Sequence, residues 1–265
     1  MQTEEGFPFI DKFYFVNSPE FEPEHHARLV NMFTTFMNVS KERMRFISPT
    51  YKHTITDEMM QQHIKEDLMV QSFRKKPLKK SELSLTLNYR AVLEDIVKNH
   101  SDGMFVVLES DVFLRENYKE LHNFTLFLKA LPQESWDLVH IGYDGGDTRD
   151  GIYRAPHCMS ETPYRKHDLS ALPFIEDLTN PQDRYRLIRK FHTRCTDSFV
   201  WSYSGIVKFL KHMNTEINYG AAFDYYMTNF FENNEGFKHY WSNPSFFIQG
   251  SNHGIIPSTI QNDLS

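Results

Sequence analysis

Three features of this sequence predict an α/β fold, with a mostly parallel sheet flanked by helices in a single domain. The first is Met104–Leu114 (MFVVLESDVFL), an apolar β-rich run that stops at Glu109-Ser110-Asp111 before apolar residues resume. Four such residues in a row predict a strand buried on both faces, as in the centre of a parallel sheet. The second is the opening, where a strand, an amphipathic segment and a second strand follow one another and predict a β-α-β crossover. The third is continuity: 265 residues carry neither an internal repeat nor a flexible linker, and that length suits one large α/β domain.

Composition narrows the class. Twenty-three Phe and 13 Tyr suit a large core and a ring-lined cleft, and a formal charge of -6 argues against a dedicated nucleic-acid binder, which would show a basic face. Cys158 and Cys195 are the only cysteines, so a disulfide framework does not hold the fold together and reduced thiols are expected. No run approaches the ~18 apolar residues of a membrane span. The acidic start, MQTEEGFPFIDK, lacks the features of a signal peptide, so a soluble cytoplasmic chain is expected.

Taken in order, Lys12–Val16 (KFYFV) predicts the first strand, stopped by Asn17-Ser18-Pro19. Glu24–Met37 places Ala27, Val30, Phe33 and Met37 at helical spacing. Arg43–Ile47 is a short second strand ending at Ser48-Pro49, and Thr56–Phe73 is helical in part. Arg74–Lys80 gathers five cations around a proline, which interrupts a helix. Ser81 is the expected N-cap of a long helix through Asn99, with Leu85, Tyr89, Val92 and Ile96 along one face. After the strand that ends in Glu109 come a helix over Tyr118–Lys129 and a strand over Trp136–Ile141. Residues 143–190 form a polar, turn-rich excursion with some helix near its end. Thr196–Tyr203 returns to strand, Ser204–Met213 and Ala221–Glu232 are helical, and Pro244–Ile248 is the last strand.

The acidic turn carries the clearest chemistry. Ligands of open α/β sheets bind at the carboxyl ends of the strands, where Glu109 and Asp111 are expected. Two carboxylates one residue apart can share a hard cation, and Mg²⁺ or Mn²⁺ commonly arrives with a nucleotide's phosphates. The bland reading of the same residues is a solvated acidic turn.

At this point the order of motifs resembles a GT-A glycosyltransferase, most closely glycosyltransferase family 25, which includes lipooligosaccharide enzymes and collagen galactosyltransferases. KFYFVNSPE resembles the family's opening strand and nucleotide loop, SELSLTLNYRAVLEDI the helix before its metal motif, and FVVLESDVFL the strand and acidic motif. WDLVHIGY, SFVWSYSGIVKFLKHM and NPSFFIQGSNHGIIPSTI are similar to later segments, in the family's order. Enzymes encoded by algal DNA viruses share the short, tail-less look. Ser110 departs from the family's consecutive acids, and the excursion matches no family segment. The resemblance divides the single domain, 1–265, into a nucleotide-binding half at about 10–142 and an acceptor-side half at about 143–265.

The resemblance implies a metal-dependent transferase that moves a sugar (galactose, xylose or glucose) from a UDP-sugar donor to a glycan or glycoprotein acceptor, with inversion. Asp111 is the expected direct ligand of Mn²⁺ (or Mg²⁺), with Glu109 acting through water or on the ribose. His253, flanked by Asn252 and Gly254, is the third ligand expected from the far end of the chain. Asn17 and Ser18, together with Glu109 and Ser110, are expected at the nucleotide. Lys79, in the basic stretch, is a phosphate clamp or simply a solvated cation. Asp224 is the expected general base, a first-turn aspartate whose ionised form the helix dipole also favours. Asp197 and Glu216 are the fallback bases. Trp201, Tyr203 and Trp241 either stack on sugars or belong to the core. The alternatives are a retaining transferase, a sugar nucleotidyltransferase and a catalytically silent sugar-binding domain. A nucleotidyltransferase would need a glycine-rich loop where NSPEFEPE stands, while Ser110 keeps the silent domain open.

Overall fold

The computed structural model describes residues 6–63, 78–114, 125, 127–128, 131, 136–142, 175–176, 184–189, 196–215, 222–243, 245–251 and 255–256. Cys158, Cys195, Glu216, His253, most of the basic stretch and most of the 143–190 excursion lie outside the described residues.

Its centre is an eight-stranded mixed sheet, built from β1 (Lys12–Val16), β2 (Met44–Phe46), β3 (Met104–Glu109), β5 (Leu138–His140), β6 (Ile175–Glu176), β7 (Arg184–Arg189), β8 (Ser198–Ser202) and β9 (His239–Asn243). The order across it is β2-β1-β3-β8-β5-β9-β7-β6. β1 runs parallel to both β2 and β3, and β5 runs parallel to β9. β8 lies antiparallel between β3 and β5, and β7 is antiparallel to β9 and β6. Six of the eight strands therefore share a direction, with β8 and β7 reversed. A two-stranded antiparallel ribbon, β4 (Val112–Leu114) with β10 (Phe247–Gln249), starts directly after the acidic turn.

Both faces of the sheet are covered, which is why β1 and β3 read as continuous apolar runs. Phe13 and Phe15, with Val106 and Leu108, pack on α1 (Pro23–Asn31) and the turn after it, through Leu29 and Phe33. Tyr14 and Val16, with Phe105 and Val107, face α3 (Lys80–Asn99), α4 (Tyr203–Thr215) and α5 (Phe223–Asn233). Alternate residues of one strand thus feed two separate cores, each fully buried Phe or Leu contributing on the order of 1.5–3 kcal/mol. Trp201 and Trp241 belong to this interior at 0% and 2% exposure, so neither ring is available to stack on a sugar. Tyr203 packs half-buried against the second core.

Several boundaries differ from the sequence expectation. α1 ends at Asn31, and the last predicted turn is a π-helix over Met32–Phe36. Only Asp57–His63 of the Thr56–Phe73 segment is a described helix, α2. Lys79, not Ser81, is the N-cap of α3, because Glu82 reaches back to accept the Lys79 N–H at 2.9 Å and fixes the start two residues earlier. The excursion ends in strand β7, whereas a helix was expected there: Arg184–Arg189 completes the sheet beside β9. The β9 strand was not predicted, and the last strand is confined to Phe247–Gln249. Among the described residues no helix is long and apolar enough to cross a membrane.

Candidate functional site

A cleft opens at the carboxyl ends of β1 and β3, with about 610 Å³ of atom-free space including its solvent mouth. One wall is the acidic turn, Glu109, Ser110 and Asp111, joined by Glu22. The lining continues along the inner face of α3, where Ser81, Ser84 and Asn88 recur at helical spacing, together with Tyr51 and Lys52 from the loop after β2. Asn88 holds that loop in place: its Nδ2 donates to the Thr50 carbonyl at 2.7 Å and its Oδ1 accepts from the Thr50 N–H at 3.0 Å. Ser84 Oγ adds a bond to the same carbonyl at 2.7 Å. Gln249 and Ser251 close the end nearest the ribbon.

β3 delivers Glu109 opposite Val16 of β1, and the Glu109 N–H donates to the Asp197 carbonyl at 2.8 Å. Its side chain is 6% exposed and accepts a hydrogen bond from the Thr196 hydroxyl. The Thr196 carbonyl in turn accepts from the buried Tyr89 hydroxyl. Burial pushes the Glu109 carboxyl well above its ordinary range, and the charge of Asp111 pushes it further, with Asp197 and Asp224 adding to the effect. Asp111 is raised for the same first reason, burial, against a lowering contribution from its bond to Ser251.

Asp111 is held from three directions. Ser251 Oγ donates to Oδ2 at 2.5 Å, the Gly250 N–H donates to its backbone carbonyl at 2.8 Å, and β10 pairs Gln249 with Val112. Oδ1 is shielded from solvent and has no hydrogen-bond partner. An orphaned carboxylate oxygen among further carboxylates is costly unless a cation or donor fills the gap. The oxygen chemistry fits Mg²⁺ or Mn²⁺. Among the described residues, no group of three or more His, Cys, Asp or Glu is arranged to hold a metal ion. Such an ion would therefore complete its shell with phosphate oxygens and water, as Mg²⁺ commonly does.

The other predicted site residues divide. Ser110 lines the cleft, but its hydroxyl donates to Glu22 Oε1 at 3.2 Å. Asn17 is fully buried and gives its Nδ2 to Glu22 Oε2 at 3.2 Å, and neither it nor Ser18 lines the cleft. Lys79 serves through its backbone at the start of α3, and Lys52 is the cation on the cleft wall. Asp224 sits half-buried in the first turn of α5, accepting the Tyr225 N–H at 2.9 Å. Asp197, a fallback base, is fully buried with Oδ1 at 3.1 Å from His140 Nε2 and Oδ2 accepting from Ser198 at 3.0 Å. It has no surface from which to meet an acceptor.

Sequence reasoning did not find Glu22, Arg28, Lys52, Thr196 or Ser251. The stripe of Ser81, Ser84 and Asn88 was the available signal, a polar row on the inner face of a helix whose other inward positions are apolar apart from Thr86. The chain matches no protein-family model and no curated protein sequence.

Proposed function

We propose that this chain is a metal-dependent GT-A-type glycosyltransferase, moving galactose, xylose or glucose from a UDP-sugar to a glycan or glycoprotein acceptor. The observation that carries the reading is Asp111: a buried, partnerless Oδ1 on the wall of a cleft at the carboxyl edge of the sheet, with Glu109 beside it. Asp111 would hold Mn²⁺ or Mg²⁺ directly, and Glu109 through water or at the ribose. The cation supplies charge neutralisation on the departing diphosphate. Lys52, also on the cleft lining, would supply a cation to that charge.

Asp224 is the proposed base. Its charge is felt at Glu109, which supports a place within electrostatic range of the acidic turn. It takes the proton from an acceptor hydroxyl as that oxygen bonds to the anomeric carbon. The bond from that carbon to the phosphate oxygen breaks with its electron pair leaving on UDP, and the configuration inverts. Calorimetric titration of UDP in Mn²⁺ and in EDTA tests the reading. Wild-type protein is expected to bind only with Mn²⁺ and Asp111→Asn not to bind, whereas equal binding in EDTA would remove the metal from the proposal.

A further inference from the structure

Arg28 stands on α1, outside the residues that line the cleft, yet it reaches the acidic turn from behind. Its Nη2 donates to the Ser110 carbonyl at 2.5 Å and its Nη1 to the Val112 carbonyl at 2.5 Å. These are the two carbonyls on either side of Asp111. The guanidinium lies 4.0 Å from the centroid of the Phe113 ring. With Gly250 holding the carbonyl of Asp111 itself, three successive backbone oxygens are fixed, and the direction of the Asp111 side chain is fixed with them.

We infer that Arg28 is a positioning residue for cation binding: its guanidinium fork sets the backbone around Asp111 so that Oδ1 faces the ion. The inference rests on the metal reading above. Two facts favour positioning over simple stabilisation. Arg28 Nε is buried without a partner, so one donor of the guanidinium gives up its hydration with no bond in return. The two donors also go to backbone carbonyls on either side of Asp111, not to its carboxylate, which leaves Oδ1 open. A planar fork can span carbonyls two residues apart in a fixed orientation. A lysine ammonium, a point charge on a flexible stem, cannot reproduce that geometry.

The test is Mn²⁺ binding to the full chain without nucleotide, read from the electron paramagnetic signal of free Mn²⁺, alongside melting of the metal-free protein. Arg28→Lys keeps the charge and Arg28→Gln keeps a planar donor. Each is expected to weaken Mn²⁺ about 10–100-fold, the usual effect of losing a residue that orients a ligand. The loss should appear in protein shown to be folded by circular dichroism, which a merely structural role would not produce. Wild-type affinity in Arg28→Lys would overturn the inference while leaving the metal reading intact. Wild-type protein that binds no Mn²⁺ would overturn both. Should neither variant fold, Phe113→Leu reads the same quantity by removing the ring under the guanidinium: weaker Mn²⁺ supports the inference and unchanged affinity overturns it.

Discussion

Ser251 donates a hydrogen bond to Asp111 at 2.5 Å across 140 residues of sequence, so the far end of the chain orients the carboxylate at the end of β3. Ser251→Ala is expected to cost about 1 kcal/mol of stability and to weaken Mn²⁺-dependent UDP binding about tenfold, because Oδ2 is then free to turn. Thermal melting and calorimetry measure the two effects separately. Unchanged affinity in the variant would show that Oδ2 needs no anchor.

Glu109 and Asp111 both have their pKa raised by burial in the folded protein. Between the ordinary carboxylate range and these raised values, the folded state holds more protons than the unfolded one. Stability is therefore full at pH below the ordinary range and is lost as pH rises through the folded values. Glu109→Gln removes one such group and is expected to raise the melting temperature of metal-free protein at pH 7–8. At acidic pH the difference should vanish. A variant that melts earlier at neutral pH would mean that the Thr196 bond outweighs the desolvation.

Gly142 has no room for a side chain: a Cβ there would meet the two Asp197 carboxylate oxygens at 2.0 and 2.3 Å. Gly142→Ala is expected to destabilise the protein by about 1–3 kcal/mol, the usual cost of overpacking. Asp197 is fixed by His140 and Ser198 and cannot move aside cheaply. Urea unfolding measures the change, and a midpoint like that of wild type would show that the carboxylate yields.

Asp224→Asn separates a base from a helix-terminal residue. Loss of general-base catalysis lowers transfer by about 10²–10⁴-fold, while the amide retains the oxygen that accepts the Tyr225 N–H. Melting temperature and UDP affinity are expected to stay near wild type. Transfer at the wild-type rate per folded molecule would return Asp224 to a structural role.

The sequence was most legible where one physical cause dominated. β1 has the predicted bounds, Lys12–Val16, because burial on both faces leaves an unbroken apolar run. The same cause exposed β3, and the apolar face of α3 gave all but its first two residues, Lys80 and Ser81. β9 was missed because His239 and Ser242 are buried in a strand that looks polar, so the run HYWSN hides a central position beside β5. The acidic turn was found from its carboxylates. Its supports were not, since Arg28 and Ser251 act through backbone carbonyls and a contact 140 residues away, neither of which leaves a local pattern. Lys79 illustrates the limit of counting charges: the basic stretch drew attention to it, while among the described residues the cation on the cleft lining is Lys52.

β8 separates β3 from β5 in the sheet, and that placement bears on how the chain is made. During synthesis β3 acquires β1 at once, but its other edge must wait for Ser198–Ser202, about 90 residues later. At about 5–20 residues per second the wait is on the order of 5–20 s. Throughout it an apolar strand shows unpaired N–H and C=O groups, the arrangement most prone to pair with another chain. Nascent chains of this protein should therefore depend on chaperones, and a stop introduced between β5 and β8 should leave an insoluble product.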